Sequence, residues 1–157
     1  MLDIDTHDRA LLSALQADAR VSLDNLAHLT GLSPATVQRR VRRLRESGVI
    51  KREAAILDAD ALGWGMSFLI LVEMERERLD MLDAFKRRMR AEQQVQQCYY
   101  ITGDADFALI CLARDMNDFE RLTQRLFFDD SNIRRFRTSV VMDRTKVSLN
   151  IGTENEG

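Results

Sequence analysis

Cysteine, histidine and proline are scarce in this chain of 157 residues, which contains two, two and one of them, respectively. Cys98 and Cys111 lie in apolar segments without CxxC spacing or a nearby histidine, so we expect reduced thiols, no disulfide framework and no metal site. His7 and His28 both lie in the N-terminal part of the chain, and no Ser-His-Asp, paired-acid or metal-ligand spacing recurs. The sequence therefore predicts that the protein is not an enzyme and has no catalytic residues and no cofactor.

Long apolar runs are also missing. No run approaches the ~18 to 20 residues that a membrane-spanning helix needs, and the stretch MLDIDTHDRALL lacks the basic-then-apolar order of a signal peptide. Apolar residues make up 45% of the chain and charged residues 31%, which is an ordinary globular composition. We therefore expect a cytoplasmic protein with no membrane partner.

The net charge is small, at −2, but positive charge is concentrated in one short stretch. Between Ser33 and Arg52 there are seven cations and a single anion, Glu46, so this stretch carries +6 and the rest of the chain −8. This distribution indicates one localised anion-binding face rather than general adhesion to polyanions. The cations are Arg39, Arg40, Arg42, Arg43, Arg45, Lys51 and Arg52.

Three short helices are predicted before Leu57. Their limits are marked by capping residues, by a proline at a first helical position and by glycines just past the ends. The markers are Asp5 for the first helix, Ser22 and Gly31 for the second, and Ser33, Pro34 and Gly48 for the third. Only the turn GLS joins the second helix to the third, as in a helix-turn-helix. The next stretch, VIKREAAIL, is predicted to be a short extended or hairpin segment that completes a winged unit.

The third helix is predicted to bury Val37, Val41 and Leu44 and to turn a mostly cationic face outward. In a helix-turn-helix, the N-terminal half of this helix enters the major groove of DNA, where glutamine, arginine and small apolar groups read base edges. We expect base contacts from Ala35, Thr36, Gln38, Arg39 and Arg42. We expect phosphate contacts, which supply affinity and salt dependence, from Ser33, Arg40, Arg43, Arg45, Lys51 and Arg52. The alternative is a solvated face with arginines for solubility, which a face with one anion disfavours.

The second half of the chain predicts a different pattern of elements. Strand-like and helix-like stretches follow one another in the order βαββαβ, with helices on one face of an antiparallel sheet. The predicted fold is therefore α+β, a winged helix-turn-helix joined to a C-terminal ferredoxin-like domain. The predicted boundaries are 1–52 for the DNA-binding domain, 53–65 for a linker, 66–150 for the second domain and 151–157 for a polar tail.

The first strand of the second domain runs from Phe68 to Val72 without polar alternation, so both faces of the sheet are predicted to be buried. Two helices cover only one face. The other face is then expected to pack against the same face of a second copy, which makes a homodimer the minimum assembly. The alternative is that the N-terminal domain folds over this face.

Two separate parts of the chain resemble the Lrp/AsnC, or feast/famine, family of transcriptional regulators. The stretch from LDIDTHDRALL to RRLRESGVI is similar to the family's DNA-binding domain. The stretches YYITGDADFALICLARDMNDFERL and IRRFRTSVVMDRTKV are similar to its C-terminal domain, the regulation-of-amino-acid-metabolism (RAM) domain. The resemblance implies dimers that assemble further into tetramers or octamers, and regulation by amino acids bound between C-terminal domains.

The turn TGDAD is the candidate effector loop. A glycine here can take a positive φ and expose backbone N–H groups that suit a carboxylate, while nearby aspartates suit an ammonium group. The resemblance matches Gly103, Asp104 and Asp106 to the family's effector loop, and the expected effector-binding residues are Tyr100, Thr102, Gly103, Asp104 and Asp106. Simple hairpin chemistry is the alternative. The family usually has an aromatic residue at the position of Ala105.

The same turn suggests a strand register. A loop centred between Asp104 and Ala105 would place Cys98 opposite Cys111, close enough for a strained disulfide after adjustment. The hypothesis is a latent redox pair, and the alternative is two small buried apolar residues.

Taken together, the sequence predicts a sequence-specific DNA-binding transcriptional regulator that oligomerises and senses an amino acid or a related small molecule. Its expected partners are double-stranded DNA, further copies of itself and the effector. Two alternatives stay open. One is an architectural DNA-binding protein without an effector, and the other is a small-molecule-binding protein whose basic helix contacts a protein partner.

Overall fold

The computed structural model describes residues 3–153, which form two compact units. The first unit contains residues 3–56 together with 146–153, and the second contains Leu57–Thr145. The predicted tail, 151–157, is described only as far as residue 153, and residues 154–157 lie outside the described part. The predicted second domain, 66–150, therefore differs from the second unit at its C-terminal end. In the described part of the chain, no helix is long and apolar enough to cross a membrane.

The first unit contains three helices with the predicted caps: α1 (Thr6–Ala17), α2 (Leu23–Thr30) and α3 (Pro34–Glu46). The Asp5 and Asp8 side chains each accept from the other residue's backbone N–H, forming a capping box at the start of α1. Gly31 ends α2 in the left-handed conformation, with φ of 68°. The helices pack on a core of Leu11, Leu26, Ala27, Val37 and Val41. These caps confirm the predicted helix starts.

The segment after α3 has no regular secondary structure over residues 51–58. Of the two alternatives predicted for this stretch, the hairpin is therefore not formed among the residues described. The C-terminal segment instead returns to α1. The Gln16 side-chain amide donates to the Ile151 carbonyl at 2.8 Å and accepts from the Ile151 N–H at 2.9 Å, while Arg9 donates to the Thr153 carbonyl at 3.1 Å.

The second unit has the βαββαβ order that the sequence predicts. Its elements are β1 (Met66–Met74), α4 (Leu79–Ala91), β2 (Val95–Tyr100), β3 (Phe107–Ala113), α5 (Met116–Thr123) with a π-helical continuation (Gln124–Phe128), and β4 (Ile133–Val140). The four strands form an antiparallel sheet in the order β2-β3-β1-β4. This topology confirms the predicted α+β fold with a ferredoxin-like second domain.

One face of the sheet forms the core with the helices. Phe68, Ile70 and Val72 on β1 are fully buried there, and the Phe68 ring stacks on Phe119 with 3.7 Å between centroids. Burial alternates along β1, so Leu69 and Leu71 point to the opposite face, where Leu69 is 38% exposed. No helix among residues 57–145 covers that face, so the sequence prediction of burial on both faces is not met within this unit.

The predicted pairing of the two cysteines is wrong. Cys98 lies opposite Leu109, and Cys111 lies opposite Val95 beyond a β-bulge, so the thiols are diagonal rather than directly opposed. The register differs because Tyr100 pairs with Phe107, which centres the loop between Gly103 and Asp104. Burial raises the pKa of the Cys111 thiol to about 12, which leaves little reactive thiolate. The structure therefore favours the alternative of two small apolar residues.

Candidate DNA-binding surface and effector loop

The outward face of α3 carries most of the predicted base-contacting residues. Val37, Val41 and Leu44 hold the helix by its inner face, where all three are buried. On the other side Ala35, Gln38, Arg39 and Arg42 are exposed. Thr36 is half-buried, and its hydroxyl lies 2.9 Å from the Ser33 hydroxyl. Arg39 and Arg42 make no hydrogen bond or ion pair within residues 3–153, so both guanidinium groups are available to donate to an external acceptor.

Two other arginines of α3 are engaged inside the unit. Arg40 donates to the Asp8 carboxylate at 2.9 Å and to the Asp5 carboxylate at 2.8 Å, and Arg43 donates to the second Asp8 oxygen. The Asp8 side chain is 0% exposed, whereas those of Arg40 and Arg43 are 22% and 44% exposed. The hydrogen bonds from the Asp8 N–H and from Arg40 lower the pKa of Asp5. Asp8 therefore joins α1 to α3.

The role of Asp8 could not be recognised from the sequence alone. The spacing of Asp5 and Asp8 at the start of a helix indicates a capping box, but nothing in the sequence tells that the helix containing Arg40 and Arg43 packs beside it. The phosphate contact predicted for Arg40 would have to compete with these bonds, because its guanidinium is held by two carboxylates of the same unit. Arg43 is more exposed and keeps part of its donor capacity.

The remaining predicted phosphate contacts lie after the middle of α3 or before its start. Ser33 caps the helix through a bond from the Thr36 N–H. Arg45 pairs with Glu53 at 2.7 Å, but both side chains are substantially exposed, so this pair contributes little and can exchange for a phosphate. Lys51 and Arg52 are exposed.

The candidate effector loop connects β2 to β3 and is anchored to β1. The Asp106 N–H donates to the Val72 carbonyl at 2.9 Å, and the Asp106 carboxylate accepts from the Met74 N–H at 2.6 Å. Gly103 has φ of 116°, a conformation that L side chains rarely adopt, and open space surrounds its Cα. The backbone conformation, rather than crowding, therefore requires glycine at this position.

Four of the five predicted effector-binding residues lie in this loop and Tyr100 is the last residue of β2, but their side chains differ in availability. Thr102 and Asp104 are exposed, and the Asp104 carboxylate has no hydrogen bond or ion pair to any residue between 3 and 153. Asp106 is half-buried and has one oxygen committed to β1. Tyr100 donates a long hydrogen bond of 3.4 Å to Glu77. Asp104 is therefore the more accessible of the two carboxylates for an ammonium group.

Ala105 is buried in this loop, with 6% exposure. Its side chain therefore faces the protein rather than the solvent-exposed surface formed by Thr102 and Asp104. As for metals, no cluster of three or more His, Cys, Asp or Glu side chains suited to a metal ion occurs in the part of the chain that the structure describes.

A helix-turn-helix with a cationic recognition helix, followed by a ferredoxin-like domain with an open loop, defines a DNA-binding protein with an attached ligand-binding domain. Comparison with known proteins agrees with both halves. The family model described as "Winged helix-turn-helix DNA-binding" matches residues 4–51, and the model described as "Lrp/AsnC ligand binding domain" matches residues 67–151. The chain belongs to the Lrp/AsnC family of transcriptional regulators, which are not enzymes.

Individual relatives extend over nearly the whole chain. An HTH-type transcriptional regulator of Sinorhizobium fredii is 42% identical over 98% of this chain and 90% of its own length. The leucine-responsive regulatory protein of Escherichia coli is 30% identical over 93% of this chain and 89% of its own. The crystal structure of a Neisseria meningitidis transcriptional regulator in complex with L-methionine superposes with a TM-score of 0.88, at 25% identity, over 95% of this chain and 96% of the other.

Proposed function

We propose that this regulator recognises a specific DNA site through the outward face of α3. The observation that carries the proposal is the separation of arginines on that helix. Arg39 and Arg42 are exposed and have no partner among residues 3–153, while Arg40 is held by α1. Base contacts are assigned to Ala35, Thr36, Gln38, Arg39 and Arg42, and phosphate contacts to Ser33, Arg43, Arg45, Lys51 and Arg52. A cytoplasmic location is part of this proposal, since a DNA-binding regulator must reach its target.

The test compares Arg39→Ala with Lys51→Ala on duplexes selected from a random library, by fluorescence anisotropy at two salt concentrations. Both variants remove one exposed positive charge, but only Arg39 is assigned to a base. Arg39→Ala should reduce discrimination between selected and unrelated duplexes by about tenfold or more. Lys51→Ala should weaken binding to all duplexes alike. Equal behaviour of the two variants would contradict the assignment.

The effector-binding function is assigned to the loop of Thr102, Gly103, Asp104 and Asp106, with Tyr100 beside it. Support comes from the accessible Asp104 carboxylate, from the positive φ of Gly103, and from the L-methionine bound to the Neisseria relative. The proposed effector is an amino acid or a related small molecule. Each of the twenty amino acids, with L-methionine first, should be titrated while thermal stability and DNA affinity are followed.

The control variants for this titration are Asp104→Asn in the loop and Asp115→Asn, because Asp115 is also exposed but lies at the opposite end of β3, where it caps α5. Asp104→Asn should abolish the response to the active amino acid, whereas the wild-type response should persist in Asp115→Asn. A wild-type protein that responds to none of the twenty amino acids would favour an architectural DNA-binding protein without an effector, an alternative to which the small buried Ala105 also points.

Self-association is proposed to use the open face of the sheet. Leu69 and Leu71 on β1, with their neighbours Ala108 and Ile110 on β3, form an apolar strip there. Arg135 and Arg137 on β4 border the strip and pair with Glu73 at 2.7 and 3.4 Å. An apolar centre bordered by charged side chains is the composition of a typical protein interface. We therefore propose that a second copy of the chain covers this face. Sedimentation of Leu69→Asp should show monomers where the wild type forms dimers or larger assemblies.

A further inference from the structure

A small cavity lies between α4 and the edge strand β2. Its volume is about 280 Å³, and it is lined by Lys86 and Arg90 from α4, Cys98 and Tyr100 from β2, and Phe107 from β3. The Tyr100 and Phe107 rings lie 5.1 Å apart and provide an apolar wall. Since a water molecule takes about 30 Å³ of liquid volume, the space suits a small organic molecule rather than a single ion.

The charged groups that line this cavity are both cations. Lys86 and Arg90 are four residues apart on α4 and so lie on the same face of the helix. The Lys86 ammonium lies 5.1 Å from the centre of the Tyr100 ring and 3.6 Å from the exposed carboxylate of Asp83, a pair of the kind that contributes little. Arg90 has no hydrogen bond or ion pair to any residue in the range 3–153. Two donors therefore lie beside the cavity with no strong internal acceptor.

Negative charge lies near the hydroxyl end of Tyr100. Its hydroxyl donates to the Glu77 carboxylate at 3.4 Å, and burial together with the nearby Glu77 and Asp106 carboxylates raises the pKa of Tyr100. The cavity thus has cations on the α4 side and carboxylates beyond the Tyr100 hydroxyl. A ligand with a carboxylate fits the cationic side, and a ligand that also has an ammonium group can direct it towards Glu77.

We propose that this cavity binds the carboxylate of a small aliphatic acid through Arg90 and Lys86. The site is additional to the loop of Gly103, Asp104 and Asp106 and does not depend on that loop binding an effector, because Tyr100 is the single residue that the two assignments share. Two kinds of molecule could supply this carboxylate: an amino acid, or an organic acid without an ammonium group.

The first experiment uses three probes with one carbon skeleton, titrated by calorimetry into the full chain. L-norvaline has both charged groups, pentanoate has only the carboxylate, and L-norvalinamide has only the ammonium group. Norvaline and pentanoate should bind, and norvalinamide should not. Arg90→Gln and Lys86→Gln should each weaken binding by about tenfold. Arg87→Gln is the matched control, since Arg87 is exposed, lines a different cavity and changes the net charge equally.

The comparison of probes also identifies the source of the carboxylate. Tighter binding of norvaline than of pentanoate, with the advantage lost in Glu77→Gln, would indicate an amino acid. Equal binding of the two would indicate an organic acid. The proposal is overturned if neither carboxylate binds, if norvalinamide binds as well as norvaline, or if Arg87→Gln weakens binding as much as Arg90→Gln does.

A second readout uses the cysteine in the cavity wall. Cys98 is half-buried and Cys111 is fully buried, so N-ethylmaleimide should label Cys98 first. Pentanoate should slow this labelling in the wild type and in Arg87→Gln but not in Arg90→Gln, whereas unchanged labelling in the wild type would count against the site. The cavity proposal and the loop proposal can fail independently. If pentanoate still protects Cys98 in Asp104→Asn, the cavity site is supported even where the loop binds no effector.

Discussion

Arg39 and Arg40 are neighbours on α3 and have the same side chain, but they have opposite environments. Arg39 is exposed and without an internal partner in the described part of the chain, while Arg40 is held by Asp5 and the buried Asp8. The difference follows from a helical step of about 100° per residue, which turns one guanidinium towards solvent and the next towards α1. A run of cations is therefore not one functional surface. Part of it orients the helix, and part of it is available to DNA.

The strongest way to break this arrangement is Asp8→Ala. The substitution leaves Arg40 and Arg43 without the carboxylate that joins them to α1, and the loss of one partner of a buried ion pair is costly. We expect a loss of about 3 kcal/mol in the free energy of unfolding, the lower end of the usual range, because both guanidiniums are partly exposed. Urea denaturation measures it. Asp24→Ala, at an exposed site in the first turn of α2, is the control and should cost about 0.5 kcal/mol. Similar losses in both variants would contradict the role of Asp8.

The direct comparison of the two neighbours comes next. Arg40→Ala should lower the free energy of unfolding by about 2 kcal/mol, since it deprives the buried Asp8 carboxylate of one of its two arginine partners. Arg39→Ala should change it by less than about 0.5 kcal/mol. Discrimination between duplexes should fall more in Arg39→Ala than in Arg40→Ala. Both variants are compared at a temperature where they are folded. If Arg40→Ala left stability unchanged, the two residues would not differ as the structure indicates.

The salt dependence of DNA affinity distinguishes arginines that contact phosphate from arginines that pair within the protein. The expected effect is smaller than the stability losses above. Removal of one phosphate contact reduces the slope of log affinity against log salt by about 0.9. We expect Arg52→Ala to show this change and Arg40→Ala to retain the wild-type slope, measured by anisotropy over a range of salt concentrations. A reduced slope in Arg40→Ala would restore Arg40 to the phosphate contacts.

The smallest expected effect is on acid stability. Because hydrogen bonds from the Asp8 N–H and Arg40 lower the pKa of Asp5 in the folded protein, the stabilisation is present above the unfolded pKa of about 3.9 and is lost as the pH falls through the lower folded value. Asp5→Asn keeps a good N-cap but removes the charge. Thermal melts from neutral to acid pH should show a weaker dependence for this variant than for the wild type. An identical dependence would show that Asp5 does not contribute.

Local features of the fold could be predicted from the sequence, whereas features set by distant contacts could not. The helix caps at Asp5, Ser22 and Ser33 and the βαββαβ order follow from residues close together in the chain. The position of Arg40 depends on α1, 32 residues away at Asp8, and no periodicity within α3 contains that information. The strand register was mispredicted for a similar reason, since the loop between β2 and β3 is held by contacts of Asp106 with β1.

The candidate DNA site follows the same division. The outward positions of Arg39 and Arg42 could be derived from the spacing of Val37, Val41 and Leu44, because a helix has a fixed period. The cavity beside Tyr100 could not be derived, because it depends on the packing of α4 against the edge strand.

The hydrogen bonds between Gln16 and Ile151 have a practical consequence for dissection of the molecule. An isolated fragment ending near Ile56 would contain all three helices yet would expose the Gln16 amide and the Arg9 guanidinium to water in place of the carbonyls they bind at residues 151–153. Binding assays on such a fragment would therefore measure a DNA-binding domain that lacks part of its native hydrogen bonding. A circularly permuted design, in which 146–153 is spliced directly ahead of α1, would preserve these bonds within one continuous piece.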